Sequence, residues 1–313
     1  MSPSSDIDAF RAALASSKQV AILAGAGLSA GSGIPTYRGG PDAIWKNMDH
    51  DKLATVEGFE KDPVTCWQFH HMMRQLCLDA TPNAAHRALA SLVVPSVRAK
   101  VLPGLKDPDS PPLFITQNMD SLSPRTLDEF KDKISSGEME KAKERLVEMH
   151  GNIFRQKCLQ CKHVSTSTDS HLAPGRYPKD ANSPATARLE GTNPSATVSK
   201  DDLPRCGGPS WNGSNRYGRC GGPLRPSVVW FGEIPEGLGD IARHLSWTDM
   251  LIVVGTSCLV HPAAGFLKTV KDRGGKVAIF NYDASPKDDL ADFLFLGKCE
   301  EVLPIALGIE GEV

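Results

Sequence analysis

The chain carries short, nearly unbroken apolar runs separated by longer stretches of mixed character. Five stand out: Val20–Ala24 "VAILA", Leu113–Thr116 "LFIT", Val228–Phe231 "VVWF", Met250–Val254 "MLIVV" and Lys276–Phe280 "KVAIF". They show little alternation, the pattern of strands covered on both faces. Helical patterns lie between several of them, at Asn83–Val94, Glu138–Met149 and Ala263–Asp272. This alternation predicts an α/β fold, a doubly wound parallel sheet of the Rossmann-like kind. The runs are followed in turn by "GAG", "QNMD", "GE", "GTS" and "NYD". Ligands bind beyond the carboxyl ends of the strands in such sheets, so the five ends predict one shared crevice. Ordinary turns would use the same residue types.

Two regions interrupt this pattern. Residues 41–81 hold Trp45, Trp67, Phe69 and paired His and Met, and are expected to form a small helical insertion. Residues 151–226 hold four cysteines around a Ser/Pro/Asn-rich stretch, of which 165–204 reads as a mobile loop. The large domain is then assembled from residues 1–40, 82–150 and 227–313.

Composition narrows the picture. Of 313 residues 40% are apolar, and the net charge is -2, so no bulk field draws the chain to nucleic acid or to an anionic membrane. Direct nucleic-acid binding is not expected. No apolar run reaches the ~18 residues of a membrane helix. The opening "MSPSSDIDAF" lacks the basic and apolar regions of a secretory leader, and Asp6 and Asp8 beside a lone Arg11 argue against a mitochondrial presequence. A cytoplasmic or nuclear monomer is expected, with a mitochondrial location left open. The eight cysteines then read as thiols and metal ligands.

The first strand end, "GAGLSAGSGIPTYRGG" from Gly25 to Gly40, decides the kind of crevice. Gly25, Gly27 and Ala30 satisfy the dinucleotide pattern G-x-G-x-x-G/A. A dehydrogenase continues into a full helix, a second strand and an acidic residue about 20 positions on. Here Gly31, Gly33 and Pro35 break the helix almost at once. The loop can still hold phosphate with backbone N–H groups, while the rest of the unit is built for something else.

This loop resembles the NAD loop of the sirtuins, the NAD-dependent protein lysine deacylases. The resemblance continues in order through "TQNMD" (116–120), "EMHG" (148–151), "CLQC" (158–161), "VVWFGE" (228–233), "GTS" (255–257), "NYD" (281–283) and Cys299. It spans nearly the whole chain and is most similar to class III sirtuins. It implies NAD as cofactor and acyl-lysine proteins as substrates. Gly25, Ala26, Gly27, Ser29, Ala30, Ile34, Pro35, Tyr37 and Arg38 would form the cofactor loop. Gln117, Asn118 and Asp120 would contact ribose and nicotinamide, and Gly255, Thr256 and Ser257 would meet phosphate and ribose. Asn281, Tyr282, Asp283 and Cys299 would hold the adenosine end. His150 would be the catalytic base with Asn118 beside it; an imidazole titrates near ~6.5, suited to that work. On its own, His150 reads equally well as a histidine closing a helix. Val229, Trp230, Phe231, Gly232 and Glu233 would form one wall of the substrate tunnel, against which an extended peptide adds as a strand.

Cys158 and Cys161 make a C-x₂-C half-site for tetrahedral zinc, which Cys206 and Cys220 would complete as one structural ion. Thirteen residues separate the second pair, and His163 or His171 is the alternative ligand.

The sequence departs from the family in three places. Tyr37 stands where Phe is usual, "SLS" (121–123) replaces the usual Leu-His continuation, and the charged segment from Pro124 to Val147 is longer than usual. That segment reads as a solvated helical insertion, one able to lean over the substrate mouth. In desuccinylase members a Tyr and, three residues later, an Arg bind the distal carboxylate of the acyl group. Those positions fall here on His70 and Met73, with Arg74 turned about 100° away. Neutral acyl groups are therefore expected to be preferred over succinyl, with His70, if protonated, a partial substitute for the missing charge. The rival readings are a desuccinylase or demalonylase, a mono-ADP-ribosyltransferase, and an NAD-binding scaffold with decayed catalysis.

Overall fold

The computed structural model describes residues 2–38, 43–170, 198–207 and 220–311. Its strands, in chain order, are β1 (Val20–Ala24), β2 (Leu113–Thr116), β3 (Leu146–Glu148), β4 (Gly151–Cys158), β5 (Val164–Thr166), β6 (Leu224–Val228), β7 (Met250–Val254), β8 (Lys276–Asn281) and β9 (Phe293–Leu296). Among the described residues, six of them form a parallel sheet in the order β3-β2-β1-β7-β8-β9, and β5-β4-β6 form a small antiparallel sheet. The parallel order is that of a Rossmann-like sheet, in which the chain reverses direction of travel between its two innermost strands. Here those strands are β1 and β7, paired from Val20 with Met250 to Ala24 with Val254. Both are buried along their whole length, as their unbroken apolar runs require.

Apolar layers cover both faces. On one, Phe10 of the Ile7–Ser16 helix meets Phe280, Phe293 and Phe295 edge-on, at 5.5 to 5.6 Å. On the other, Ile241 and Leu245 pack with Phe266, Leu267 and Val270 against β7 and β8.

The run "VVWF" is not a strand of the parallel sheet. Val228 ends β6, whose residues alternate between buried and half-buried, the mark of a strand with one covered face. Residues 229–231 then leave the sheet, and the Phe231 N–H donates to the carbonyl of Ala54 at 2.9 Å. Four of the five anticipated strand ends therefore share the crevice, and "GE" approaches it from the small sheet. The helix expected over Glu138–Met149 runs from Ser136 to Arg145. A capping box between Ser135 and Glu138 starts it, and the chain then extends into β3. Strands β3 and β9 give weak signals because they are short sheet edges with half-buried or exposed positions.

The helical insertion is organised by the Pro63–Asp79 helix, capped by Asp62, which accepts from the Thr65 N–H at 3.1 Å. Almost every side chain from Cys66 to Cys77 is buried, including Gln68, His70, His71 and Arg74. Arg74 is satisfied by the carbonyls of Ile153 and Asp169, to which its guanidinium donates. Of the loop anticipated at 165–204, the first two residues belong to β5 and Ser170 donates to Gln75 at 2.9 Å. Lys200–Asp202 form a short capped turn, and 171–197 lie outside the described residues. The charged insertion packs Leu127, Phe130 and Ala142 on Ala90 and Val93 of the preceding helical region.

What shapes the crevice is the contact between the β1 and β7 loops. The Gly27 N–H donates to the Gly255 carbonyl at 2.8 Å, and Gly255 has φ +62°. A Cβ on Gly27 would lie 2.7 Å from the Gly255 Cα, and one on Gly255 would strike the backbone of Gly27 and Leu28. Gly255→Ala should destabilise the fold by about 2–4 kcal/mol, combining backbone strain and overlap. Gly239→Ala, in a helix where a Cβ meets nothing within 4 Å, should be neutral or slightly stabilising. Denaturant midpoints of the two variants check this; equal midpoints would contradict the close-approach argument.

Candidate active site

Backbone ladders deliver the polar residues to one place. The Gln117 N–H donates to the Ala24 carbonyl, and the Met149 N–H to that of Thr116, both at 2.9 Å. Asn118, Asp120 and His150 therefore follow directly from β2 and β3, beside the glycine loop of β1. Thr256 joins the halves of the sheet: its hydroxyl accepts from Gln117 Nε2 at 3.1 Å, and its carbonyl from Asn281 Nδ2 at 3.1 Å. Tyr282, Asp283 and Ser257 are exposed at the rim, while Cys299 is buried, its thiol 3.7 Å from the Phe280 carbonyl.

A cavity opens beside the glycine loop, lined among others by Ala26, Ser29, Ile34, Pro35, Tyr37, Asn118 and Asp120. Met73, Cys77, Met119 and Ile153 supply its apolar side. Ser29 organises the polar side. Its hydroxyl donates to Asp120 Oδ2 at 2.6 Å and accepts from Asn118 Nδ2 at 3.0 Å. His86 Nε2 lies 3.4 Å from the same oxygen. The Asn83 N–H donates to His86 Nδ1 at 3.3 Å, so the His86 proton sits on Nε2 and donates to Ser29. Burial drives the His86 pKa down to about 3, keeping it neutral. Burial also raises Asp120, against the opposing Ser29 and Leu122 hydrogen bonds and the charge of Arg125. The Tyr37 ring closes the cavity near Trp45, 5.5 Å between centroids, and burial pushes its hydroxyl well above the usual range. Arg38 is exposed, its guanidinium 5.8 Å over the Phe231 ring.

His150 Nδ1 lies 3.0 Å from the Gln117 carbonyl. A carbonyl only accepts, so Nδ1 carries the proton and Nε2 keeps its lone pair, the tautomer a general base needs. Burial lowers the His150 pKa below its ordinary value, with the Gln117 contact partly opposing. The His150 carbonyl accepts from the Val229 N–H at 2.9 Å, which brings the 229–233 segment alongside.

Within that segment the side chains divide. Phe231 faces His50 and Trp45, at 5.2 and 6.3 Å between ring centroids. Trp230 and Glu233 turn inward instead. Trp230 is buried, and Glu233 pairs with Arg225 at 2.6 and 2.8 Å. His70 is not among the residues lining the cavity: it is buried behind Trp230, whose indole nitrogen lies 3.4 Å from His70 Nε2.

The sulfurs of Cys158, Cys161, Cys206 and Cys220 all lie within 4.8 Å of one another, with Cys158–Cys220 at 3.4 Å and Cys161–Cys206 at 3.7 Å. A zinc tetrahedron with ~2.3 Å bonds has sulfurs about 3.8 Å apart. The cluster fits one structural ion with all four positions taken by protein. His163 is not part of it, and His171 lies outside the described residues.

The sequence model of the Sir2 family matches residues 25–262, from the glycine loop through the zinc module to the loop after β7. The chain belongs to the Sir2 family. A zebrafish (Danio rerio) relative named NAD-dependent protein deacylase sirtuin-5, mitochondrial, is 35% identical over 307 residues, 97% of this chain and 87% of that protein. An NAD-dependent protein deacylase of Pyrococcus abyssi is 36% identical over 293 residues, 93% of this chain and 92% of its own. The crystal structure of a Sir2 homologue–NAD complex superposes with a TM-score of 0.68 at 29% identity, covering 98% of this chain and 94% of that one.

In this Sir2 chain the glycine loop, "QNMD" and Thr256 come together through Ser29 and Gln117, but the residues supporting them were less legible. The hydrogen bond from His86 to Ser29 could have been suspected from "PNAAHRAL", where Asn83 caps a helix and His86 completes the capping box. The pairing of Arg225 with Glu233 had no signal in the local pattern. Among the described residues no helix is long and apolar enough to cross a membrane.

Purified protein should hold about one zinc per chain. Cys158→Ser should lower thermal stability more than it changes the remaining protein's turnover, since the ion would hold structure. Metal analysis and melting curves on the same samples check this; folded, active protein without zinc would remove the assignment.

Proposed function

We propose that this NAD-dependent protein deacylase removes neutral acyl groups, such as acetyl, crotonyl and butyryl, in preference to succinyl. The observation that supports this is the pair Met73 and Arg74. Met73 lines the cavity, while the Arg74 guanidinium is turned away to the carbonyls of Ile153 and Asp169. A carboxylate entering beside Met73 would lack a paired cation, which is costly in an enclosed site. His70 does not replace that charge: burial brings its pKa down to about 4, with the opposing Cys66 carbonyl and the charges of Arg74 and Arg225 as smaller influences.

NAD bound here would supply the ribose carbon for the acyl oxygen, the bond to nicotinamide breaking as the new one forms. Asp120 and Asn118, held through Ser29, would hold the nicotinamide and ribose groups. His150 Nε2, the nitrogen left with its lone pair, would accept a proton from a ribose hydroxyl. The Val229, Trp230 and Phe231 N–H groups are already bonded within the molecule, to His150, Glu233 and Ala54. A peptide laid along this segment would therefore meet its carbonyls.

The desuccinylase reading would need its cation from Arg38, which is exposed over Phe231 and does not line the cavity. Matched acetyl, crotonyl and succinyl peptides decide between the readings. We expect kcat/KM for acetyl to exceed that for succinyl by about tenfold or more, the scale of one lost charge-assisted hydrogen bond. The ratio should be flat from about pH 6 to 8, because His70 stays neutral there. Succinyl preferred, and lost in Arg38→Ala, would establish the desuccinylase reading. Nicotinamide release without any acyl-lysine peptide would favour ADP-ribosyl transfer.

His150→Ala should abolish deacylation while leaving the fold and NAD binding largely intact. A lowered base pKa keeps the imidazole neutral to lower pH, so the acid limb of kcat/KM should fall below ~6.5. Turnover by the variant within a few-fold of the parent would refute the role of His150, and an acid limb above that pH would refute the effect of burial.

A further inference from the structure

We propose that His70 is a positioning residue, a neutral imidazole that holds the Trp230 indole and thereby sets the 229–233 segment along which the peptide binds. The proposal rests on the reading of that segment as the peptide wall. His70 sits on the Pro63–Asp79 helix and is 1% exposed. Its Nδ1 lies 2.7 Å from the Cys66 carbonyl oxygen, an acceptor only, so Nδ1 carries the proton. Nε2 is then a bare acceptor. The indole Nε1–H of Trp230, a donor only, points to it at 3.4 Å. Both atoms are matched in the one tautomer that satisfies both contacts.

The rest of Trp230 is fixed by other groups. The Arg225 guanidinium lies 3.6 Å over its ring, and Phe59 stands 5.2 Å away between centroids. Its N–H donates to Glu233 Oε2 at 2.9 Å, and that carboxylate is held by Arg225. Arg225 and Glu233 secure the segment to the small sheet. His70 ties it to the helical insertion, on the same helix that places Met73 in the cavity three residues later. The imidazole thus joins the wall that meets the peptide to the helix that meets the acyl group, beside the backbone bond from Phe231 to Ala54.

His70→Phe keeps an aromatic ring but removes the acceptor, while His70→Gln can return an oxygen near Nε2. In His70→Phe the KM for an acetyl-lysine peptide should rise about fivefold, the scale of one buried hydrogen bond. The kcat and the KM for NAD should stay within about twofold, and His70→Gln should restore the peptide KM to a similar margin. The ¹⁵N–¹H indole resonance of Trp230, assigned by Trp230→Phe, should shift in His70→Phe. In the Trp230→Phe background His70→Phe should add little. Should His70→Phe not fold, His70→Asn takes its place; it keeps a donor for Cys66 but is too short to reach the indole. An unchanged peptide KM in a folded variant would overturn the proposal, as would a parallel loss of kcat, both KM values and stability that His70→Gln does not rescue. Absence of turnover by the unsubstituted protein on every acyl peptide would instead overturn the peptide-wall reading, and the proposal with it.

Discussion

The contact on which the site depends is the one between two glycine backbones, Gly27 after β1 and Gly255 after β7. No side chain fits between them, and the hydrogen bond from Gly27 to Gly255 closes the gap. Because β1 and β7 are the strands between which the sheet reverses direction, this contact sets the width of the crevice at its floor. Thr256 then reaches Gln117 on one side and Asn281 on the other. Ser29, three residues into the turn that the glycines permit, reaches Asn118 and Asp120. The polar groups of the cavity are thus ordered by backbone proximity first and by side-chain hydrogen bonds second.

The second constraint is the burial of polar side chains in the Pro63–Asp79 helix. A helix apolar all round would pack more simply. This one places Gln68, His70, His71 and Arg74 inside, and each such group demands a partner on a neighbouring element. Arg74 finds β4 and the segment after β5, and His70 finds Trp230. The helix is therefore oriented by directional bonds as well as by packing, which fixes the face that Met73 presents to the cavity.

These two constraints explain what the sequence could and could not reveal. The parallel strands β1, β2, β7 and β8 were legible because strands buried on both faces must be apolar runs. Edge strands β3 and β9 were not, since all of β3 and two of the four residues of β9 are only partly covered or exposed. "VVWF" misled because a buried Trp and a partly covered Phe on a connecting segment look the same as a strand. The glycine loop and "QNMD" pointed to residues that line the cavity, and "EMHG" to His150 against the Gln117 carbonyl, because strand ends impose their position. The four cysteines came together although the second pair had unusual spacing; a loop between ligands costs closure entropy that grows only slowly with length. The partners of Arg74, and the Trp230 indole that meets His70, lie far away in sequence; Arg225 and Glu233 are near neighbours in the chain, but no local period encodes their pairing.

The pairing of β1 with β7 also bears on how the molecule acquires its site. Val20 and Met250 are neighbours in space yet lie far apart along the chain. Contacts of such long sequence separation carry a large loop-closure cost and slow the search for the native arrangement. The helical insertion and the small sheet can assemble from nearer neighbours, but the crevice exists only once this central pairing has formed. A nucleotide held there would bind the finished sheet and not its precursors. It would draw the folding equilibrium toward the native state by mass action, in proportion to its concentration over its dissociation constant. Cellular NAD would then act as a stabiliser of the folded chain as well as a participant in its chemistry.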